Sequence, residues 1–205
     1  MPEVKSKALK VYKDAVKEHP HREIMTGSDC SNLDGMIAAI KGNKAASELL
    51  GLDGWCEISG FHEDSDTGVK LRHRFDKLTK CGIGIDLKKT QSVAPEEIAK
   101  TIQKYGYHMQ DSLYSDGYEA ITGFNLSAFY FIFVEEQYPH EVAVVYLDDV
   151  SKQVGRDEYK DLLGDYAFYS QNRDKVHNNS EIQMVSLPEW SLRQYENELE
   201  DGGII

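Results

Sequence analysis

The chain has 205 residues and 40% of them are apolar, so its composition is that of a globular domain and not of a disordered segment. It contains 23 basic and 35 acidic residues and has a net charge of −12, which argues against nonspecific nucleic-acid binding by the surface as a whole. No apolar run approaches the roughly 20 residues of a membrane span, and no signal peptide follows Met1, so no membrane partner is expected.

Cysteine usage indicates a reducing compartment. Cys30, Cys56 and Cys81 are odd in number and widely separated, and their spacing fits neither a disulfide framework nor a metal-ligand motif. We therefore expect a cytoplasmic protein.

The first quarter of the chain predicts helices. Residues 3–18 have apolar side chains at helical spacing, and Pro20 ends this helix. The polar residues 26–29 form a turn that offers N-caps. A second helix is predicted over residues 32–50, with a break in it at Gly42-Asn43.

From Trp55 the hydrophobic period changes to two, which predicts strands. Residues 55–61 and 69–78 form a hairpin around the turn at 64–68, and residues 82–88 follow as a third strand after a short turn. Because the connections are short, the three strands are predicted to form an antiparallel meander.

Alternation along the second and third strands separates an apolar set from a polar set. The apolar sets, which we expect to face the core, are Val69, Leu71, His73 and Phe75 in the second strand and Ile83, Ile85 and Leu87 in the third. The polar sets on the opposite faces are Lys70, Arg72, Arg74 and Asp76, and then Gly84, Asp86 and Lys88.

A long helix is predicted over residues 94–120, with Pro95 near its first turn and Gly123 after its end. Tyr and Gln side chains share one side of it, and because the helix follows the third strand they are candidates to border the same cleft. These residues are Gln103, Tyr107, Gln110, Tyr114 and Tyr118.

The remainder completes one domain over residues 1–205, with N-terminal helices at 1–50, a core at 51–150 and C-terminal helices at 151–205. Two nearly continuous apolar strands are predicted in the middle of the sheet. A long helix and a polar loop follow, and Leu187 opens a last helix with an acidic tail. The ranges are 127–134 and 142–147 for the strands, 148–169 for the helix, 172–180 for the loop and 196–201 for the tail.

Charge is unevenly distributed. Between Lys70 and Lys89 lie seven basic residues and two acidic ones, so this window carries +5 and the rest of the chain −17. A local basic field around two carboxylates suits a polyanionic substrate, although solvated strands also carry such charges. The side chains predicted to contact DNA phosphates are Lys70, Arg72, Arg74 and Lys77.

The two acidic residues of this window, Asp76 and Asp86, form the pattern D-x9-D-x-K with Lys88. On neighbouring antiparallel strands both carboxylates come to one edge of the sheet, where two oxygen ligands can hold Mg²⁺, with Mn²⁺ as the alternative. Lys88 can orient or help deprotonate the attacking water, or stabilise charge on the phosphorane. The competing interpretation is a surface ion pair on an ordinary strand.

This pattern is that of PD-(D/E)xK nucleases, with Phe75 in place of the motif proline. Three longer stretches, V-K-L-R-H-R-F-D, G-I-G-I-D-L-K-K-T and Y-G-Y-H-M-Q-D-S-L-Y-S-D-G-Y-E-A, resemble the RecE-type (exonuclease VIII-like) phage recombination exonucleases. The resemblance extends from about Met36 to about residue 190. It implies an α/β (α+β) restriction-endonuclease-like fold, with a central mixed sheet flanked by helices.

The resemblance also implies a function. The activity would be metal-dependent 5′→3′ digestion of linear double-stranded DNA in a bacterial host cell. It would leave 3′ single strands for an annealing protein, and a homo-oligomer is expected because relatives form rings.

Residue roles follow from the same resemblance. Asp76 and Asp86 match metal-binding aspartates, and Lys88 matches the catalytic lysine. Gln110 and Tyr114 match a helix motif beside the active site. Glu57 stands where relatives carry a Glu that is either a further ligand or a support for the ligands. Relatives also carry a His on a helix upstream of the hairpin, and this chain is expected to begin after that position and to lack that ligand.

Two alternatives stay open at this point. A restriction-like endonuclease shares the fold and the D-x-K strand, whereas the Y-H-M-Q-x-x-x-Y helix favours the exonuclease. A catalytically weak module that binds DNA ends or a protein partner is the alternative from another class, and the missing His favours it.

Overall fold

The computed structural model describes residues 7–175, 182 and 184–201. The chain divides into two compact units, Met1–Phe168 and Tyr169–Ile205. The first unit contains the whole sheet. That residues 1–205 form a single domain stays a prediction.

Three helices precede the sheet: α1 (Lys10–Glu18), α2 (Gly27–Gly42) and α3 (Lys44–Gly51). Thr26 begins α2 with a capping box, because its hydroxyl accepts from the Asp29 amide at 3.1 Å and the Asp29 carboxylate accepts from the Thr26 amide at 3.0 Å. The predicted break at Gly42-Asn43 is confirmed, and the Asn43 side chain caps α3. The predicted residues 3–6 of the first helix lie outside the described residues.

Five strands form one mixed sheet in the order β1-β2-β3-β4-β5. All neighbours are antiparallel except β3 and β4, which are parallel. The meander and the mixed sheet flanked by helices are thereby confirmed. The strands are β1 (Gly54–Glu63), β2 (Lys70–Thr79), β3 (Ile83–Thr90), β4 (Ala128–Glu135) and β5 (Val142–Val145).

The prediction that β5 lies in the middle of the sheet was wrong. Within the described residues it pairs with β4 alone and forms an edge. Its apolar run has another cause. Val142 and Val144 pack against one core cluster, and Ala143 and Val145 against the other. Both faces of the strand are covered, so alternation is lost although one edge has no neighbour.

The connection from β3 to β4 consists of two helices, α4 (Pro95–Tyr105) and α5 (Tyr107–Thr122). The single helix predicted over 94–120 was wrong. Gly106 has φ +68°, in the left-handed region that glycine tolerates, and it ends α4 and turns the chain into α5.

Two clusters of buried side chains cover the two faces of the sheet. On one face the aromatic side chains of β2 and β4 pack under α4 and α5; the cluster comprises Phe75, Leu78, Ile98, Phe129, Phe131, Phe133 and Leu147. On the other face Ala46 of α3 packs against Ile85 and Ile132. The first half of β3 is therefore enclosed from both sides, and Asp86 in its centre is buried, whereas Leu87 and Lys89 towards its end are exposed.

The helix α6 (Asp149–Gln171) follows the sheet. Arg156 holds it against α5 through a bidentate ion pair with Asp116, at 2.7 and 2.9 Å. In the second unit a short 3₁₀ turn (Arg173–Lys175) and α7 (Glu189–Asp201) are described. The acidic tail lies in α7, and residues 176–180 of the predicted loop lie outside the described residues. No helix in the described ranges is both long and apolar enough to cross a membrane.

Gly155 is expected to be essential for the packing of α6 on α5. A Cβ at this position would lie 2.3 Å from the His108 carbonyl oxygen and 2.8 Å from the Met109 amide nitrogen, both of which are backbone atoms of α5. Gly155→Ala should lower the free energy of unfolding by about 2 kcal/mol or more, measured by urea denaturation.

Gly164 on the same helix is the matched control. A Cβ there meets nothing within 4 Å. Gly164→Ala should raise stability by up to ~1 kcal/mol through helix propensity alone. Equal effects of the two substitutions would contradict this account of the helix contact.

Candidate active site

The strands β2 and β3 separate at the two aspartates. Their ladder contains Leu78 opposite Gly84 and Lys77 opposite Ile85, and the next pair in the same register would be Asp76 and Asp86. In place of a ladder bond, the Leu87 amide donates to the Asp76 carboxylate at 2.8 Å. The carboxylate thus fills the gap between the strands, at the position where the D-x9-D spacing predicted that two carboxylates meet.

The alternation of β2 shifts by one residue just before this gap. Phe75 and Leu78 pack in the same core cluster although they are three residues apart. On β1 the ladder is interrupted opposite Asp76, at Glu57, which has φ +54°. Such local irregularities redirect side chains beside active sites. As a result two successive residues of β2, Asp76 and Lys77, lie outside the core face.

Asp86 is the buried group of the site, with 4% of the residue exposed. Its Oδ2 accepts from the Gln110 amide at 2.6 Å, and its Oδ1 forms an ion pair with the Lys88 ammonium. Burial raises the pKa of the Asp86 carboxyl, and the charge of Asp76 adds to this, while Lys88 and Gln110 oppose it. Oδ1 is buried and accepts no hydrogen bond of regular geometry from the described residues.

Lys88 is positioned by an aromatic ring as well as by Asp86. Its side chain is 18% exposed, and its ammonium lies 4.4 Å from the centroid of the Tyr107 ring. Tyr107 in turn stacks on Phe131 of β4. The sequence predicted Tyr107, with Gln110, as a candidate to border this cleft. Their spacing of three residues puts both side chains on one side of the first turn of α5.

Two of the sequence-predicted catalytic residues, Tyr114 and Glu57, have other side-chain partners. Tyr114 packs between the rings of Phe75 and Phe129, at 5.2 and 5.9 Å, inside the core cluster. Glu57 is largely exposed and forms an ion pair with Arg74 at 2.8 Å. The structure therefore brings Asp76, Asp86, Lys88 and Gln110 together, with Glu57 opposite Asp76 in the strand register. Within the described part of the chain, neither Tyr114 nor Glu57 has a hydrogen bond or ion pair with these four.

The basic residues Lys70, Arg72 and Arg74 of β2 are exposed, and their row leads towards Asp76. The row lies on the face of the sheet opposite α5, whereas Asp86 and Lys88 contact residues of α5. Lys77 differs from the row because its ammonium donates to the Leu50 carbonyl on α3. Leu87, expected in the core, is 43% exposed, since the cover of the sheet ends where the strands separate.

The donor set suits a divalent cation with few protein ligands. Among the described residues no group of three or more His, Cys, Asp or Glu side chains has metal-binding geometry. The two aspartates repel each other, and within the described residues the Lys88 ammonium is the partner of Asp86 Oδ1. A hard cation with oxygen ligands, such as Mg²⁺ or Mn²⁺, would relieve the repulsion between the carboxylates, and the residues therefore fit such an ion.

Comparison with known families agrees with this geometry. A PDDEXK-like domain of unknown function, DUF3799, matches residues 2–187, which is most of the chain. The chain belongs to this family. PD-(D/E)xK nucleases, whose motif gives the DUF3799 domain its description, generally use divalent metal ions.

One solved structure supports the same fold for this DUF3799 protein. The crystal structure of a Eubacterium rectale protein named "Putative exonuclease" matches with a TM-score of 0.62 and 14% identity, over 88% of this chain and 73% of that chain. At this identity the likeness shows the fold. The crystal structure of SSO0001 has a TM-score of 0.36 and 17% identity, over 71% of this chain and 59% of that chain, and supports no conclusion. No curated protein matches.

Asp111, which follows Gln110 on α5, is a second buried carboxylate that the sequence analysis did not single out. It is 1% exposed, Ser115 donates to its Oδ1 at 3.2 Å, and its Oδ2 has no hydrogen bond from the described residues. Burial raises the pKa of Asp111 from 3.8 to about 6.

This shift predicts a pH dependence of stability. The folded state holds the Asp111 proton more tightly than the unfolded chain, so stability should fall as the pH rises from about 4 to about 6. In Asp111→Asn the free energy of unfolding should no longer fall between about pH 4 and about pH 6. At pH 8 this variant should be about 1–2 kcal/mol more stable than the parent, measured by chemical denaturation. The exposed Asp161→Asn on α6 is the control, and an unchanged pH profile in Asp111→Asn would refute the assignment.

Proposed function

We propose that this DUF3799 protein is a metal-dependent exodeoxyribonuclease that digests linear double-stranded DNA 5′→3′ and leaves 3′ single strands for recombination. The observation that carries the proposal is the buried Asp86 held between Lys88 and Gln110, directly beside Asp76. A surface ion pair, the competing interpretation of the D-x-K strand, would not bury both partners.

Asp76 and Asp86 would hold Mg²⁺. When bound, the ion would supply a Lewis acid for the phosphate and a lowered pKa for an attacking water. The role of the protein would be to hold the two carboxylates at fixed positions. The Leu87 amide restrains Asp76 and the Gln110 amide restrains Asp86, so each carboxylate enters the complex already oriented.

Lys88 would act on the scissile phosphate. Its ammonium is held over Tyr107 and beside Asp86, in a largely buried position where a positive charge stabilises a developing negative charge more strongly than in water. Binding of an ion by Asp86 would compete with the Lys88 ion pair. The ammonium would then be available to the phosphate while Tyr107 still restrains it.

DNA would approach along the outer face of β2. Lys70, Arg72 and Arg74 are exposed there in a row that leads to Asp76. Successive residues of such a row lie about 7 Å apart, close to the spacing of phosphates along one DNA strand. The net charge of −12 on the whole chain favours confinement of the duplex to this row.

The choice of an exonuclease rests on the RecE-type resemblance of the Y-H-M-Q-x-x-x-Y helix, whose Gln110 contacts Asp86. A second candidate is a module that binds DNA ends or a protein partner with weak catalysis. It is favoured by the fact that the described residues provide two carboxylate ligands and no cluster of three. A restriction-like endonuclease remains the alternative within the same fold.

A nuclease assay separates these candidates. With Mg²⁺, linear duplex DNA should be digested from its ends, covalently closed circles should stay intact, and EDTA should abolish digestion. Cleavage of circles would instead show an endonuclease. Absence of digestion together with DNA-end binding would show the binding module.

Variants connect the assay to the site. Asp86→Ala should abolish digestion, because it removes a metal ligand. Lys88→Met should lower kcat at least ~100-fold with little change in DNA affinity, since it removes charge stabilisation in the transition state. Lys41→Met, an exposed lysine on α2, is the control. A Lys88→Met enzyme with normal turnover and weaker DNA binding would make Lys88 a phosphate anchor.

We also propose a homo-oligomer, in which the rows of basic residues on β2 face a common passage, and a single-strand annealing protein as partner. The RecE-type resemblance supports both proposals. Light scattering at micromolar protein concentration should give a multiple of the 23.3 kDa chain mass. A monomer mass under those conditions would contradict the proposed homo-oligomer.

A further inference from the structure

A polar cavity lies at the carboxyl end of β3, the strand that carries Asp86 and Lys88. Its volume is about 590 Å³, and it is lined by the end of β3, the residues that follow β3 and β4, and the outer side of α4. The lining includes Lys89, Gln91, Lys100, Lys104, Tyr105 and Glu136. Pockets that hold small ligands are typically ~300–1,000 Å³, so the cavity has room for a nucleotide.

An aromatic stack connects this cavity to Lys88. Tyr105 is 61% exposed and stacks on Tyr107, with ring centroids 5.8 Å apart and planes at 23°. Tyr107 stacks on Phe131 at the same interplanar angle, and its ring contacts the Lys88 ammonium. The cavity is thus separated from the catalytic lysine by one aromatic ring.

This stack depends on the break between α4 and α5. Side chains two residues apart do not face each other on a continuous helix. Gly106, with φ +68°, turns the chain between Tyr105 and Tyr107 so that the two rings become parallel neighbours. The turn leaves Tyr105 as the exposed end of the stack, where a further flat ring can be added.

Positive charge surrounds the exposed ring. The Lys104 ammonium lies 5.3 Å from the centroid of Tyr105. Lys100 pairs with Glu97 at 2.7 Å, and Lys89 pairs with Glu136 at 2.8 Å. These lysines are well exposed, and exposed ion pairs contribute little stability, so their ammonium groups can exchange a carboxylate for a phosphate at low cost.

We propose that this cavity binds one nucleotide unit of the DNA, with its base stacked on Tyr105 and its phosphate at Lys100 and Lys104. The inference rests on the proposed function and adds to it the location of a nucleotide beyond the cleavage point. A base on an aromatic side chain and a phosphate at lysines are the two contacts by which single-stranded nucleic acid is bound without sequence preference. The occupant is either the released mononucleotide or an unpaired strand.

Binding in EDTA tests the site without requiring catalysis. The affinity of a short fluorescent oligo(dT) is measured by anisotropy, and dTMP is then added as competitor. Tyr105→Ala should weaken oligo(dT) binding roughly 5- to 100-fold, as expected for one lost stacking contact. Tyr105→Phe should bind normally because it keeps the ring. The control Tyr146→Ala removes a ring that is 70% exposed, after β5.

The lysines are tested by salt dependence. Lys100→Gln with Lys104→Gln should reduce the log–log salt slope of oligo(dT) binding by about 0.7, which corresponds to one phosphate of a single strand. Lys13→Gln with Lys17→Gln, at the same i, i+4 spacing on α1, should leave the slope unchanged.

The outcomes are distinct. Competition by dTMP that depends on Tyr105 identifies the released mononucleotide as the occupant, whereas Tyr105-dependent binding of oligo(dT) alone identifies an unpaired strand. Binding by Tyr105→Ala within twofold of the parent, or no binding of oligo(dT) by the parent, would overturn the proposal. Because the binding assay measures no cleavage, its result can be interpreted even if the protein shows no nuclease activity.

Discussion

The site depends on one buried carboxylate. Asp86 is enclosed between the sheet and α5, and its charge is compensated there by the Lys88 ammonium and the Gln110 amide. Removal of one partner of a buried ion pair typically destabilises a protein by about 3–5 kcal/mol, because the other charge remains buried and unpaired. A fold that tolerates such a group must hold its partners accurately, and the surrounding elements do so.

The parallel pairing of β3 with β4 is what brings those partners to Asp86. A parallel pair requires a crossover, and here the crossover consists of α4 and α5 lying on the aromatic face of the sheet. The first turn of α5 therefore lies above β3 and presents Tyr107 and Gln110 to it. The turn at Gly106 sets where that helix begins, and it aligns the Tyr105 and Tyr107 rings at the same time.

Charge in this protein matters locally. The net charge of −12 taken alone disfavours a nucleic-acid ligand. The fold nevertheless presents Lys70, Arg72 and Arg74 in one exposed row, and it places Lys100 and Lys104 beside a cavity at the end of β3. Electrostatic attraction of DNA would be governed by these surfaces, since screening at physiological salt limits the repulsion from distant acidic residues to about 8 Å.

The sequence by itself determined the antiparallel meander and the central motif. Period-two alternation located the three strands of the meander, and the D-x9-D-x-K spacing identified Asp76, Asp86 and Lys88 as neighbours, because short antiparallel connections leave little freedom of register. The tertiary structure decided what pairwise spacing does not encode. In the folded protein Tyr114 packs against the core and Lys77 donates to a carbonyl of α3. The strand β5 forms an edge of the sheet, and the Tyr107 ring contacts the Lys88 ammonium. Each of these outcomes depends on elements that are distant in the chain, and their arrangement is settled by the packing of the whole core and not by the local pattern.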